Sequence, residues 1–295
     1  MKQRHFPLLS DVFKPVQVGP NVVRFDAPHM GIAKTMKNVF GGQLLAQTQI
    51  SVELLFPEFC VLSLRGIYVS SGKTTQPVFV QVDRIADTQL VNVTLFQENA
   101  IITTVHVIIG TPEDVFSSTC FRPPEANPPD QYESVNDVVK SPRGKSFALY
   151  LRNTANWDIF DIRPLHLDLL AAPYKDIHPF SGWTTVSQAH RKAPYPPKSG
   201  RTMLTMMTDL WSMLVPNQHY VVLEPGNMNF PASLNHSVFF HTAEDLDPTA
   251  WYLLHTECQV NSNSRFLMTG KVFDQSGKCV VTFQQEGFKA AMAKI

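Results

Sequence analysis

An α+β chain of two similar halves is the fold class this sequence predicts. Three observations predict it: a helical apolar stretch followed by long β-rich runs occurs twice, a Pro-rich segment separates the two occurrences, and corresponding strands lie about half a chain apart. The chain has 295 residues, enough to bury about 75% of its unfolded surface, so a core needs neither disulfides nor metals.

In the first half, Gly41-Gly42 opens a helical stretch from Gln43 to about Leu55, ended by Phe56-Pro57. Residues 62–69, 77–84, 90–97 and 101–109 are rich in Val, Ile, Thr and Phe and read as strands, with a hairpin turn at Gln97-Glu98-Asn99-Ala100. Residues 111–145 then carry Pro112, Pro123, Pro124, Pro128, Pro129 and Pro142 without a sustained period, as a linker does. The second half repeats the plan with a helix over 202–215 and strands over 234–241, 251–260, 265–273 and 278–285, the last two joined by a turn at Asp274-Gln275-Ser276-Gly277. Ser63-Leu64 and Ser233-Leu234 open corresponding strands, which gene duplication explains. The expected division is residues 1–112, a linker over 113–145, and residues 146–295.

Composition narrows the function. Twenty-five basic residues balance 25 acidic ones, so the electrostatic footprint of a nucleic-acid partner is missing. The most apolar stretch, 90–109, is interrupted by Asn92, Gln97, Glu98, Asn99 and His106 and reads as two strands, not a membrane span. The N-terminal apolar patch is broken by Pro7, Ser10 and Asp11, too short for a secretory signal, so an intracellular protein is expected. Cys60, Cys120, Cys258 and Cys279 are scattered and read as free thiols, and the ten histidines show no metal spacing, so no cofactor is implied.

One helix wrapped by a curved antiparallel sheet is the hotdog plan, so the two halves imply a double hotdog. Val39-Phe40-Gly41-Gly42-Gln43 resembles the VFGGQ motif of the type II (TesB-like) acyl-CoA thioesterases. The second half adds Met207-Thr208-Asp209-Leu210, Leu223-Glu224-Pro225-Gly226, Ala232-Ser233-Leu234-Asn235-His236-Ser237, His241 and Gln284-Gln285-Glu286-Gly287. The resemblance runs in order from Phe25 onward and is most specific in the second half. Around 86–93 the Arg and Ser residues frequent in that family are missing, so the first half is expected to be largely scaffold.

Asp209 is the only charge within 202–215. Thr202, Thr205, Asp209 and Ser212 form a helical stripe, readable either as a solvated face or as a packed polar pocket. A solvated face normally displays Lys, Glu and Arg, whereas this one has small hydroxyls around one carboxylate. A partly desolvated Asp209 would have a raised pKa and act as a proton acceptor if donors held its ionised form.

Gln285 reads either as a strand-end amide bonded to backbone or as a ligand of water. The alternating count puts it on one face with Cys279, Val281 and Phe283. Ser233 opens the opposing strand with a hydroxyl where many relatives carry Thr. The resemblance implies that Asp209, Ser233 and Gln285 are the catalytic residues. Asp209 would take the proton of an attacking water that the other two hold, and backbone N–H groups would stabilise the oxyanion. The implied activity is hydrolysis of fatty acyl-CoA to fatty acid and CoA.

Other motifs carry less. Gly72-Lys73-Thr74 lies in a strand connection, and Gly66 leaves five residues before Gly72 where a P-loop requires four. No G-x-S-x-G elbow and no H-E-x-x-H occurs. The stretch from Asp161 through His166 to Asp168 resembles part of the signature of hotdog enoyl-CoA hydratases, but Phe160 and Arg163 replace its Gly and Asn, and the segment better matches the thioesterases' IRP strand. A binding protein that keeps an acyl tunnel without catalysis is a further alternative. Met206, Met207, Trp211, Phe239 and Phe240 suit plain core as well as an acyl tunnel.

Arg265 is a candidate CoA-binding cation. The tail Ala293-Lys294-Ile295 resembles the small-basic-aliphatic peroxisomal address, implying an import receptor as partner and peroxisomes as location, with cytosol the alternative. The family's habit of assembling through its sheets implies a homo-oligomer.

Overall fold

A computed structural model describes residues 9–31, 37–111, 121–143, 159–170, 178–191, 195–196, 198–223, 232–242 and 245–288. The tail Ala293, Lys294 and Ile295 lies outside the described residues. The helices are α1 (Leu9–Val12), α2 (Gly41–Leu55), α3 (Val135–Lys140) and α4 (Ser199–Leu223). The first-half strands are β1 (Val16–Gly19), β2 (Val22–Phe25), β3 (Cys60–Tyr68), β4 (Val78–Arg84), β5 (Leu90–Gln97) and β6 (Ala100–Gly110). The second-half strands are β7 (Phe160–Pro164), β8 (Phe180–Val186), β9 (Ala232–Phe240), β10 (Tyr252–Ser262), β11 (Arg265–Phe273) and β12 (Cys279–Phe288).

The twelve strands among the described residues form one antiparallel sheet in the order β1-β2-β4-β5-β6-β3-β9-β12-β11-β10-β8-β7. Each half contributes six, and the halves meet at β3 and β9, where Gly66 pairs with His236. α2 and α4 pack against one another under the sheet, so each half is one long helix cradled by strands: a double hotdog.

α2 is buried nearly all round, which explains its mixture of polar and apolar residues. Several of its polar groups are bonded within the protein: Thr48 and Ser51 hydroxyls donate to the carbonyls of Leu44 and Gln47 at 3.0 and 2.8 Å, and Gln49 Oε1 accepts from Thr205 Oγ1 of α4 at 2.8 Å. The helix ends at Phe56, because the residue before Pro57 is excluded from the helical region. α4 runs beyond the expected 202–215, through Pro216 to Leu223.

The Pro-rich connection does more than join the halves. Val135 and Val138 of α3 are buried, and Trp183 Nε1 donates to the Asn127 carbonyl at 2.9 Å. Ala126 and Tyr132 pack on Trp183, Leu253, Phe273 and Cys279, covering an apolar patch on the sheet face away from the helices. Cys279 therefore does not share a face with Val281, Phe283 and Gln285 as the alternating count predicts. A bulge shifts the register between Val272–Val281 and Phe273–Cys279 and turns the thiol outward.

Candidate active site

The fold brings Asp209 of α4, Ser233 of β9 and Gln285 of β12 together. Gln285 Nε2 donates to Asp209 Oδ1 at 2.5 Å and to Ser233 Oγ at 2.7 Å. Asp209 is 2% exposed and Gln285 wholly buried, while Ser233 is half-buried, so the cluster approaches the surface at its serine. Ser233 reaches this face through a bulge. His236, Val238 and Phe240 alternate inward along β9, and the register shift between Glu286–Asn235 and Gly287–Ser233 brings the serine round to join them.

The stripe on α4 is a packed polar strip. Thr202, Thr205, Asp209 and Ser212 are all buried, which removes the solvated-face reading. The other Asp209 oxygen, Oδ2, accepts the backbone N–H of Gly42 at 2.6 Å. Gly42 is the second residue of α2, so the carboxylate sits on the positive end of the neighbouring helix, where ionised oxygen is favoured. The two glycines make this approach possible. A Cβ on Gly41 would lie 2.8 Å from Tyr68 Oη and 3.0 Å from Asp209 Oδ2, and one on Gly42 would lie 2.9 Å from both Asp209 Cβ and the Met206 carbonyl oxygen.

Three contributors escape the sequence reading: the Gly42 N–H, Tyr68 and His236. Tyr68 ends β3, and its hydroxyl is buried with no protein partner. Burial, with the Asp209 charge beside it, raises the pKa of that hydroxyl well above the usual tyrosine value and keeps it protonated. His236 is wholly buried, with Nδ1 3.5 Å from Asp209 Oδ1 and Nε2 3.1 Å from Thr208 Oγ1. The inward alternation of Leu64, Gly66 and Tyr68 along β3 was the available signal for Tyr68.

Among the described residues, the first half holds no copy of this cluster. Val105 pairs with Gly66 as Gln285 pairs with His236, and Ser51 of α2 holds the place of Asp209, each ten residues after its helix's first residue. That end of the helix pair is occupied by Arg201, which donates to the carbonyls of Thr242 and Val61 and lies close to Glu53.

Elsewhere, Asp161 of edge strand β7 is ion-paired with Arg163 at 3.1 Å, and His166 is exposed beyond the strand's end. Arg265 is paired with Glu286 at 3.2 Å. Trp211, buried against Phe180, donates to Thr184 Oγ1 at 2.9 Å, and Met206 and Met207 are core. No group of three or more His, Cys, Asp or Glu side chains among the described residues is placed to hold a metal ion. No helix among them is long and apolar enough to cross a membrane.

A double hotdog with one carboxylate, amide and hydroxyl cluster at its helix interface defines the class as hotdog thioesterase. Residues 140–288 match the family model described as acyl-CoA thioesterase C-terminal domain, and the chain belongs to that family. Its sequence is 23% identical over 273 residues to acyl-CoA thioesterase 2 of Haemophilus influenzae, covering 85% of this chain and 87% of that one. Among solved structures, the acyl-CoA thioesterase II TesB2 of Mycobacterium marinum superposes with a TM-score of 0.73 at 21% identity, covering 97% and 99% of the two chains. A tesB protein of Mycobacterium avium subspecies paratuberculosis superposes with 0.72 at 16% identity, covering 96% and 100%.

Proposed function

We propose that this acyl-CoA thioesterase cleaves fatty acyl-CoA by direct attack of a water held among Asp209, Ser233 and Gln285. The observation that carries this reading is the double donation of one buried amide, to Asp209 Oδ1 at 2.5 Å and to Ser233 Oγ at 2.7 Å. It fixes the carboxylate and leaves Gln285 Oε1, which has no protein donor, to accept from the water. Asp209 takes the water's proton as its oxygen bonds to the thioester carbon. The C–S bond then breaks, and the CoA thiolate leaves and is protonated. The Tyr68 hydroxyl is the donor for the carbonyl oxygen as negative charge develops there.

The decisive experiment is release of free CoA thiol by the purified chain, without added metal or nucleotide, across short, medium and long acyl chains. Release is expected, and none on any chain length would sink the reading. Hydration of a 2-enoyl-CoA without thioester cleavage would favour the hydratase alternative, against which stands the pairing of Asp161 with Arg163. Tight acyl-CoA binding without turnover would favour a binding protein.

We further propose peroxisomal localisation through Ala293-Lys294-Ile295, read by an import receptor, and assembly as a homo-oligomer. Deleting the three residues from a chain labelled at its N-terminus should move it to the cytosol with activity unchanged. Persistent punctate peroxisomal signal in cells lacking the untagged chain would refute the address.

A further inference from the structure

On the sheet face away from the helices, Ser181 of β8 lies directly across from His255 of β10. Ser181 Oγ is 2.7 Å from His255 Nδ1, and His255 Nε2 is 2.7 Å from Glu257 Oε1. The Glu257 carboxyl is held below its usual range chiefly by that hydrogen bond, and an ionised carboxylate can only accept. Nε2 is therefore the donor to Glu257 whether the ring is neutral or charged, and in the neutral ring the lone pair lies on Nδ1, facing the serine. Gln259 Nε2 donates to Glu257 Oε2 at 3.1 Å and to Thr269 Oγ1 at 2.9 Å, which fixes the carboxylate from its far side. A hydroxyl, an imidazole and a carboxylate bonded in series through both ring nitrogens is the arrangement of nucleophile, base and orienting acid.

We propose that Ser181, His255 and Glu257 form a second nucleophilic site, which takes the acyl group of activated esters on the outer face of the second-half sheet. As Ser181 Oγ bonds to the ester carbon, its proton passes to His255 Nδ1. The bond from that carbon to the leaving oxygen then breaks, and the proton goes to the departing alcohol, leaving acyl-Ser181. Water gives a proton to Nδ1 as it attacks the acyl-serine, and that proton returns to Oγ as the acid leaves. Lys271, paired with His255 across β10 and β11, places an ammonium on the same face for the charge that develops on the carbonyl oxygen. Apolar surface adjoins it. The Phe121 ring, 41% exposed, has its centroid 5.1 Å from Lys271 Nζ, and Leu165, whose N–H donates to the Ser181 carbonyl, packs on the patch around Trp183 and Leu253. Ser181 and His255 are half-buried and the Glu257 side chain is 38% exposed, so the group is reached from solvent. Asp209, Ser233 and Gln285 lie on the opposite face of the sheet, and the two sites share no residue.

The test treats the full chain with an alkyl fluorophosphonate, whose phosphorus stands in for the ester carbon: the serine oxygen bonds to phosphorus and fluoride leaves. Peptide mass spectrometry over time reads the adduct at each serine. Ser181 should be modified ahead of every other serine, the exposed Ser276 included. His255→Gln should slow that modification by about 10²-fold or more, the contribution of a positioned base. Ser181→Ala should remove the adduct and leave hydrolysis of acyl-CoA unchanged. A Ser181 that stays unmodified, or reacts no faster than Ser276, would overturn the proposal and reduce the three residues to a cross-strand polar ladder. A rate untouched by His255→Gln would overturn it as well. The comparison of serines within the unsubstituted chain decides the matter even where His255→Gln does not fold. The reaction at Asp209 proceeds through water and leaves no adduct, so failure here and failure of the thioesterase reading are separately visible.

Discussion

The Gly42 backbone N–H donates to Asp209 Oδ2 at 2.6 Å, so a carboxylate carried by the second half caps the helix of the first. Phe40, at the N-cap of α2, makes no side-chain capping bond, and the first turn instead finds its acceptor 167 residues away. The duplicated fold therefore yields one composite site: the second half supplies acid, amide and hydroxyl, and the first supplies the helix end and Tyr68. Among its described residues the first half holds no such cluster and is a scaffold in that sense, yet the Asp209 carboxylate leans on it.

Gly42→Ala should lower both thermal stability and turnover. Alanine favours a helix over glycine by about 1 kcal/mol. Here, though, its methyl would lie 2.9 Å from Asp209 Cβ, the Met206 carbonyl oxygen and the Phe40 ring together. Overpacking of this kind costs about 1–3 kcal/mol, and one of the three neighbours is backbone, so the steric term should win. A melting temperature at or above that of the unsubstituted chain would show that the helices part without penalty.

Tyr68→Phe separates chemistry from stability. The hydroxyl is buried without a protein partner, so its removal should leave the melting temperature unchanged or slightly raised. Turnover should fall about 10²–10³-fold, the effect of losing one donor to a developing oxyanion. Unchanged kcat would take Tyr68 out of the mechanism.

Most strands are legible because alternating Val, Ile, Thr and Phe runs mark them; β5 and β11 fall where the alternation places them. β1 and β2 escape because four residues carry too little period, and β8 because Gly182 reads as a breaker. That glycine is there for space: a Cβ would lie 2.8 Å from both the Arg163 carbonyl oxygen and Trp211 Cη2. Bulges defeat simple counting, turning Cys279 outward and Ser233 inward. In the site, Asp209 stands out as a lone charge among hydroxyls, and the motif match points to Ser233 and Gln285. The parts contributed by Gly42 and His236 depend on contacts across halves and between elements, which no local pattern encodes.

His29 should make the fold acid-sensitive. Gln43 Oε1 accepts the Met30 N–H at 2.8 Å, which leaves Gln43 Nε2 to donate to His29 Nδ1 at 2.9 Å. Burial lowers the His29 pKa to about 4, outweighing the Gln76 backbone and Asp26, which act to raise it. The unfolded chain, titrating near 6.5, then binds the proton before the folded one. The stability this histidine contributes is present above pH 6.5 and is lost as pH falls toward 4, by on the order of 3 kcal/mol. Denaturant unfolding at pH 7 and pH 4.5 should show a smaller loss in His29→Gln than in the unsubstituted chain. Equal losses would place the acid-sensitive group elsewhere.

Asp209→Asn should lower turnover by about 10²–10⁴-fold, the usual contribution of a positioned general base. The change is nearly isosteric, but the Gly42 N–H and the Gln285 amide donate to different oxygens of the carboxylate. An asparagine amide keeps one acceptor and turns an NH2 toward the other donor, so the melting temperature should fall too, by the equivalent of about 1–3 kcal/mol. Ser233→Ala and Gln285→Ala should each impair turnover, with Gln285→Ala the more disruptive because it frees both Asp209 Oδ1 and Ser233 Oγ from one donor. If the three side chains hold one water, removing the second and third after the first should cost little, and the triple variant should retain far more activity than the product of the single losses. Strictly multiplicative losses, measured as kcat/KM on one acyl-CoA at one pH, would mean that the three groups act on different steps. Near-normal turnover in a folded Asp209→Asn chain would leave the base to be sought elsewhere in the interface between the two helices.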